Sequence, residues 1–162
     1  MMTIEAIEQA GEQIQQLQRQ INYTTLGLTV GYTVQMLHDR EIYIPKSHRL
    51  GWKNKQRMRL IESVLLGLPI ASLFAVKIEE EKWELIDGVQ RLTTLDAFLN
   101  NDIKLKNIEK LSKCKGLKFS DLSPVEQGKF ISRTVHIVLL ENARLEDRLE
   151  LFNRVNGLNI NF

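Results

Sequence analysis

The stretch LIDGVQRLTTL, Leu85 to Leu95, decides how the rest of the chain is read. Trp83 to Ile86 is a short apolar strand, and Asp87-Gly88 breaks it. Val89 to Leu99 then carries Leu92, Leu95 and Leu99 at helical spacing. A strand that passes through one glycine into a helix has a tight geometry, and Gly88 permits a turn that other residues would strain to make. The first turn of the helix presents free backbone N–H groups, which together with the helix dipole favour an anion. Arg91 adds a planar, permanently charged fork suited to phosphate oxygens. Asp87 is an odd neighbour for an anion unless a cation lies between them, and magnesium bridging a carboxylate to phosphate is the usual solution. Gln90 can orient a water or a base edge through its donor and its acceptor. A plainer reading uses the same residues: Asp87 caps the helix, and Arg91 pairs with Asp87 or Glu84 in a structural bridge.

Working outward, 162 residues suffice for one ordinary domain with a real core. The formal charge of +2 excludes a polycation, but the basic residues are unevenly spread. Lys46, Arg49, Lys53, Lys55, Arg57 and Arg59 follow one another without an acid, and a second run of lysines extends from Lys104 to Lys118. Either run can meet phosphate or simply be a solvated face. Lys46, Lys53, Lys55 and Arg57 form the candidate DNA or phosphate patch. Cys114 is the only cysteine, so neither an intrachain disulfide nor a cysteine zinc site is available. No apolar run is long enough for a membrane span, and the acidic, Gln-rich N-terminus is unlike a signal peptide. A cytoplasmic protein is expected.

Thr3 to Ile21 reads as an amphipathic helix with a stripe of Ile4, Ile7, Ile14, Leu17 and Ile21, open to packing on the body or on a second copy. Residues 22–32 read as a loop or loose strand. Helices are expected over Thr33–Arg40, Asn54–Leu66 (capped by Asn54 and ended by Gly67), Val89–Leu99 and Arg144–Val155. Another helix starts at Ser123-Pro124. Strands are expected over Ile42–Ile44, Ser72–Ile78 and Trp83–Ile86, with Thr134–Leu140 as a central strand. Ile61, Leu65, Leu92, Leu95, Val138 and Leu140 are the expected core. His38 reads as solvated, His48 as a candidate phosphate contact, and His136 as a core residue. The fold class is mixed α/β, a small mixed sheet surrounded by helices. The chain divides into residues 1–28 (helix and linker), 29–156 (the main domain) and 157–162 (a truncated tail).

IDGVQRLTTL resembles the Asp-Gly-x-Gln-Arg signature of the N-terminal domain of GmrSD-type restriction endonucleases, a family assigned to the ParB/sulfiredoxin-like fold. The segment YIPKSHRLGWKNKQRMRLIESVLLGLPI is similar to the family's Ile-Pro, Arg and Trp segment, with Arg49 and Trp52 at the matching positions. LFNRVN resembles its closing Phe-x-Arg-x-Asn motif at Phe152, Arg154 and Asn156. Two departures stand out. Val89 replaces a glutamine, and His48-Arg49 replaces Gln-Arg. Sulfiredoxin chemistry is excluded because Val89, where a cysteine would stand, is no nucleophile.

The resemblance implies a module that binds a nucleoside triphosphate with Mg2+ and hydrolyses it weakly, in a modification-dependent restriction or phage-defence system. Asp87, Gln90 and Arg91 would carry catalysis; Arg49, Gly88, Arg91, Thr94 and Asn142 would bind nucleotide or phosphate; Asp87 and Glu141 would hold the metal across one cleft. DNA and a nuclease domain or chain are the implied partners, with self-association open through the N-terminal helix and no membrane. The alternative is a non-catalytic DNA-binding or regulatory module of the same fold, in which the Asp87 turn is a structural joint.

Overall fold

The structure is a computed structural model that describes residues 2–46, 48, 51–141 and 144–158. Arg49, Asn142 and residues 159–162 lie outside the described residues, as do the side chains of Phe152 and Asn156. In chain order the elements are α1 (Ile4–Gln18), β1 (Tyr23–Thr29), α2 (Val30–His38), β2 (Ile42–Tyr43), α3 (Asn54–Leu66), β3 (Leu73–Glu79), β4 (Lys82–Asp87), α4 (Val89–Leu99), α5 (Pro124–Ser132), β5 (Thr134–Leu140) and α6 (Leu145–Leu158). The five strands form one mixed sheet in the order β1-β5-β3-β4-β2. The mixed α/β class expected from the sequence is the one found.

Punctuation residues set several boundaries. α3 ends at Gly67, whose φ of 77° is the left-handed conformation that glycine tolerates. Asn54 is not its cap: Lys53 occupies that position, and its N–H donates to Gln56 Oε1 at 2.9 Å. Ser123 caps α5 with Pro124 in the first turn, as the sequence indicates.

Residues 22–32 resolve into strand and helix. β1 pairs with β5 along its whole length, so the sheet already begins inside the segment 1–28. β5 is an interior strand flanked by β1 and β3.

One face of the sheet presents Leu73, Ala75, Leu85, Val135, Ile137 and Leu139 to the helices. Met58 and Ile61 of α3 and Leu92, Leu95 and Phe98 of α4 fill the space above them. Phe98, Phe119 and Phe130 meet at ring-centroid distances of 5.2–5.8 Å. The expected core is therefore correct for Ile61, Leu92 and Leu95, while Leu65 is half-buried against it and the β5 residues are shifted by one. Val138 and Leu140 are half-buried on the other side of the sheet, and His136, expected in the core, is exposed opposite Gly27. Alternation along a strand makes a one-residue error a change of face. Val76 and Ile86 are buried outside the main cluster, and α6 packs against β4, with Arg148 Nη1 3.4 Å from Glu84 Oε2.

Candidate functional site

The turn between β4 and α4 is built around Gly88. Its φ is 99°, and a Cβ placed there would lie 2.2 Å from Leu73 Cδ2 and 3.3 Å from Arg91 Nη2. Both the backbone angle and the space therefore demand glycine. α4 can then begin at Val89, immediately beyond the strand. Four residues after Asp87, Arg91 folds back: its Nη2 donates to Asp87 Oδ2 at 2.9 Å and to the Ser72 carbonyl at 3.0 Å. The paired side chains are only 13% and 14% exposed. Arg91 Nε is buried and makes no hydrogen bond among the described residues. Of the plainer reading, the Arg91–Asp87 bridge is found and the cap is not. Asp87 does not cap the helix but holds Arg91, and Arg91 joins the end of β4 to the start of β3.

A second layer covers the turn. The His48 Nε2–H donates to the Ile86 carbonyl at 3.2 Å, and the backbone N–H of Trp52 donates to Gln90 Oε1 at 3.3 Å. The loop between β2 and α3 is thereby laid over the N-terminus of α4. It carries Lys46 and runs into Lys53 and Lys55, all exposed, and the half-buried Arg57. His48, a candidate phosphate contact in the sequence, points its Nε2 at protein backbone instead.

Other residues separate from this site. Thr94 is 1% exposed on the core face of α4, out of reach of a surface ligand. β4 runs antiparallel to β3, and β3 runs parallel to β5. Asp87 is level with Phe74 and Val138, so Glu141 lies two strands over and three residues further along, roughly 14 Å away by strand spacing. Asp87 and Glu141 therefore cannot share one metal ion. Glu141 instead lines a cleft of about 480 Å³ at the opposite end of the sheet with Lys77, Glu79, Glu80, Arg144 and Arg148. Arg154 pairs with Glu150 on the exposed side of α6. Among the described residues no cluster of three His, Cys, Asp or Glu side chains could hold a metal ion.

Sequence reasoning missed the carboxylate that organises the second basic run. Glu62, 5% exposed, accepts the N–H groups of Lys110 and Leu111 at 2.6 and 2.8 Å and of Glu109 at 3.4 Å. Burial pushes its carboxyl up, but those three donors and the charge of Lys110 prevail and hold it below the ordinary carboxylate value. The Lys106 N–H meets Met58 Sδ at 3.4 Å. The segment from Lys106 to Leu111 is thus laid along α3, which brings Lys106 and Lys110 of the second basic run onto the helix that carries exposed Lys55 and Arg59 of the first. His38 is exposed, as the sequence indicates, and donates from Nε2 to Asp96 Oδ1 at 2.6 Å.

Residues 34–160 match the family model described as "GmrSD restriction endonuclease, N-terminal domain", which covers most of the chain. No curated protein matches it. Among the described residues no helix is long and apolar enough to cross a membrane.

Proposed function

Because the chain belongs to the GmrSD restriction endonuclease N-terminal domain family, we propose that it is the nucleotide-binding module of a restriction or phage-defence system. It takes the phosphates of a nucleoside triphosphate at the start of α4, under the basic loop. The observation that carries this reading is the pair of contacts, His48 to the Ile86 carbonyl and Trp52 to Gln90, that fix a basic loop over a helix N-terminus. Family membership supports a setting in which a nuclease domain and DNA are the partners.

The roles differ from those a bare signature suggests. Arg91 is a positioning residue that fixes Asp87, and the direct phosphate donors are the backbone N–H groups of the first turn with the loop cations. The residues at the turn do not form a metal cage. Magnesium would arrive on the phosphates and find at most one protein carboxylate, Asp87, which is the usual way this ion is held beside nucleotides. Hydrolysis is slow: Gln90 Oε1 is taken by Trp52, Val89 offers no polar group, and Asp87 is committed to Arg91.

Titration calorimetry with a nucleoside triphosphate, with and without magnesium, tests this, alongside release of inorganic phosphate. Saturable binding with feeble turnover is expected, and Asp87→Asn keeps the far-UV spectrum while losing the magnesium-dependent part of the affinity. If the wild-type chain binds no nucleotide, the second reading stands. It is favoured by the buried Asp87–Arg91 pair: the turn is then a joint, and the basic surface along α3 contacts DNA backbone.

A further inference from the structure

α1 lies outside the segment matched by the family model and has no buried residue. Its apolar stripe faces solvent, with Ile4 77%, Ile7 59%, Ile14 56% and Leu17 54% exposed, and Ile21 just beyond the helix 62% exposed. A helix of 15 residues that buries none of its side chains among the described residues is marginal in water. Gly11, in its middle, weakens it further, and among the described residues no atom outside the helix's own backbone and Gly11's chain neighbours lies within 4 Å of where its Cβ would be. Yet the helix begins with a made cap, the Thr3 side chain accepting the Ala6 N–H at 3.3 Å. A well-started amphipathic helix with an unused apolar face is built to be covered.

We propose that a second copy of this chain covers it, the two α1 helices packing stripe to stripe in a homodimer. Three observations favour self-pairing over a foreign partner. First, Ile7, Ala10, Ile14 and Leu17 follow at alternating spacings of three and four along α1, so they form one apolar seam that can pack against its own copy. Second, the charges lie away from that seam. Glu5, Glu8 and Glu12 fall on the far side by helical spacing, whereas Ala6, Gln13 and Gln18 border it. A glutamine amide both donates and accepts, so a border of glutamines is complementary to itself and brings no like charges together. Third, the area suffices. Five side chains left more than half exposed offer roughly 500–600 Å² per copy, and two copies reach the roughly 1,000 Å² that a specific interface needs. The stripe also opens at its foot into a cleft of about 430 Å³, where Leu17 and Ile21 face Leu140 and Leu151 and extend the apolar surface toward α6.

The test is the solution mass of the full chain by sedimentation equilibrium, from about 1 to 100 µM. The expected result is a concentration-dependent mass rising to twice 18.8 kDa. The double variant Ile7→Glu/Ile14→Glu should stay at the monomer mass throughout. Neither side chain is buried in the chain's own body, so that variant should keep the wild-type cooperative unfolding of the domain and lose only α1 helicity. A wild-type chain that is monomeric at 100 µM overturns the proposal. A dimer that survives both glutamates overturns it equally, because the interface would then lie elsewhere.

Discussion

Replacing Gly88 by alanine probes the turn on which the site rests. Two costs add. Any L-residue at φ 99° leaves its favoured backbone region, at roughly 1–2 kcal/mol. The new methyl would also sit 2.2 Å from Leu73 Cδ2 and 3.4 Å from Leu73 Cα. Leu73 is 0% exposed, so it cannot swing aside without moving its neighbours, and overpacking of this kind costs roughly 1–3 kcal/mol. The sum is about 2–5 kcal/mol, a large part of the roughly 5–15 kcal/mol that stabilises a domain. Urea unfolding followed by circular dichroism reads it directly. Gly88→Asn separates the two costs: asparagine tolerates positive φ but still carries the Cβ, so it should recover less than half of the loss. A Gly88→Ala variant within about 1 kcal/mol of wild type would show that the turn relaxes freely, and the close packing of α4 on β3 would be refuted.

Glu62→Gln should cost about 2–3 kcal/mol at neutral pH, because a carboxylate accepting three backbone N–H groups is replaced by an amide that accepts less well and brings an unneeded donor. Because folding lowers the Glu62 pKa, its contribution is present above the unfolded value of about 4.5 and is lost as pH falls through the folded value. Wild type and variant should therefore converge in stability towards low pH, and a gap independent of pH would contradict the assignment. Gln90→Ala removes the acceptor for the Trp52 backbone N–H and loosens the loop that half-buries the Trp52 ring, so Trp52 fluorescence should shift to the red with a loss of about 1 kcal/mol, checked by thermal melting. If the neighbouring basic runs meet DNA, affinity for a short duplex should fall steeply with salt and hardly vary with sequence, and Lys55→Ala/Arg59→Ala should flatten the salt slope by about 2 in a fluorescence-anisotropy titration.

Much of this molecule is legible in its sequence. The helices over Asn54–Leu66 and Val89–Leu99 and the strand over Thr134–Leu140 can be bounded to the residue, because their apolar residues are periodic or continuous and Gly67 and Gly88 punctuate the two helices. β1 was harder to see: it lies at the sheet edge, mostly exposed and rich in threonine, so no alternation marks it. A continuous apolar run also carries no face, which is why Val138 and Leu140 were expected where Val135, Ile137 and Leu139 stand. The pairing of Asp87 with Glu141 failed for a topological reason. Both end strands that the sequence marks clearly, but strand direction is set by pairing, and the two ends prove to be opposite. Glu62 carried a readable signal: it stands four residues from Met58, on the buried side of α3, where an acid needs donors. The partners it found lie 47–49 residues on, beyond any local pattern.

The most direct test of the central claim is a nitrogen–proton correlation spectrum of the full chain titrated with a nucleoside triphosphate and magnesium. Saturable shifts are expected, concentrated at the backbone amides of Gly88, Val89, Gln90, Arg91 and Trp52, around the start of α4 and the loop fixed over it. Absence of shifts at those amides, or shifts confined to the cleft around Glu141, Arg144 and Arg148 at the other end of the sheet, would contradict it.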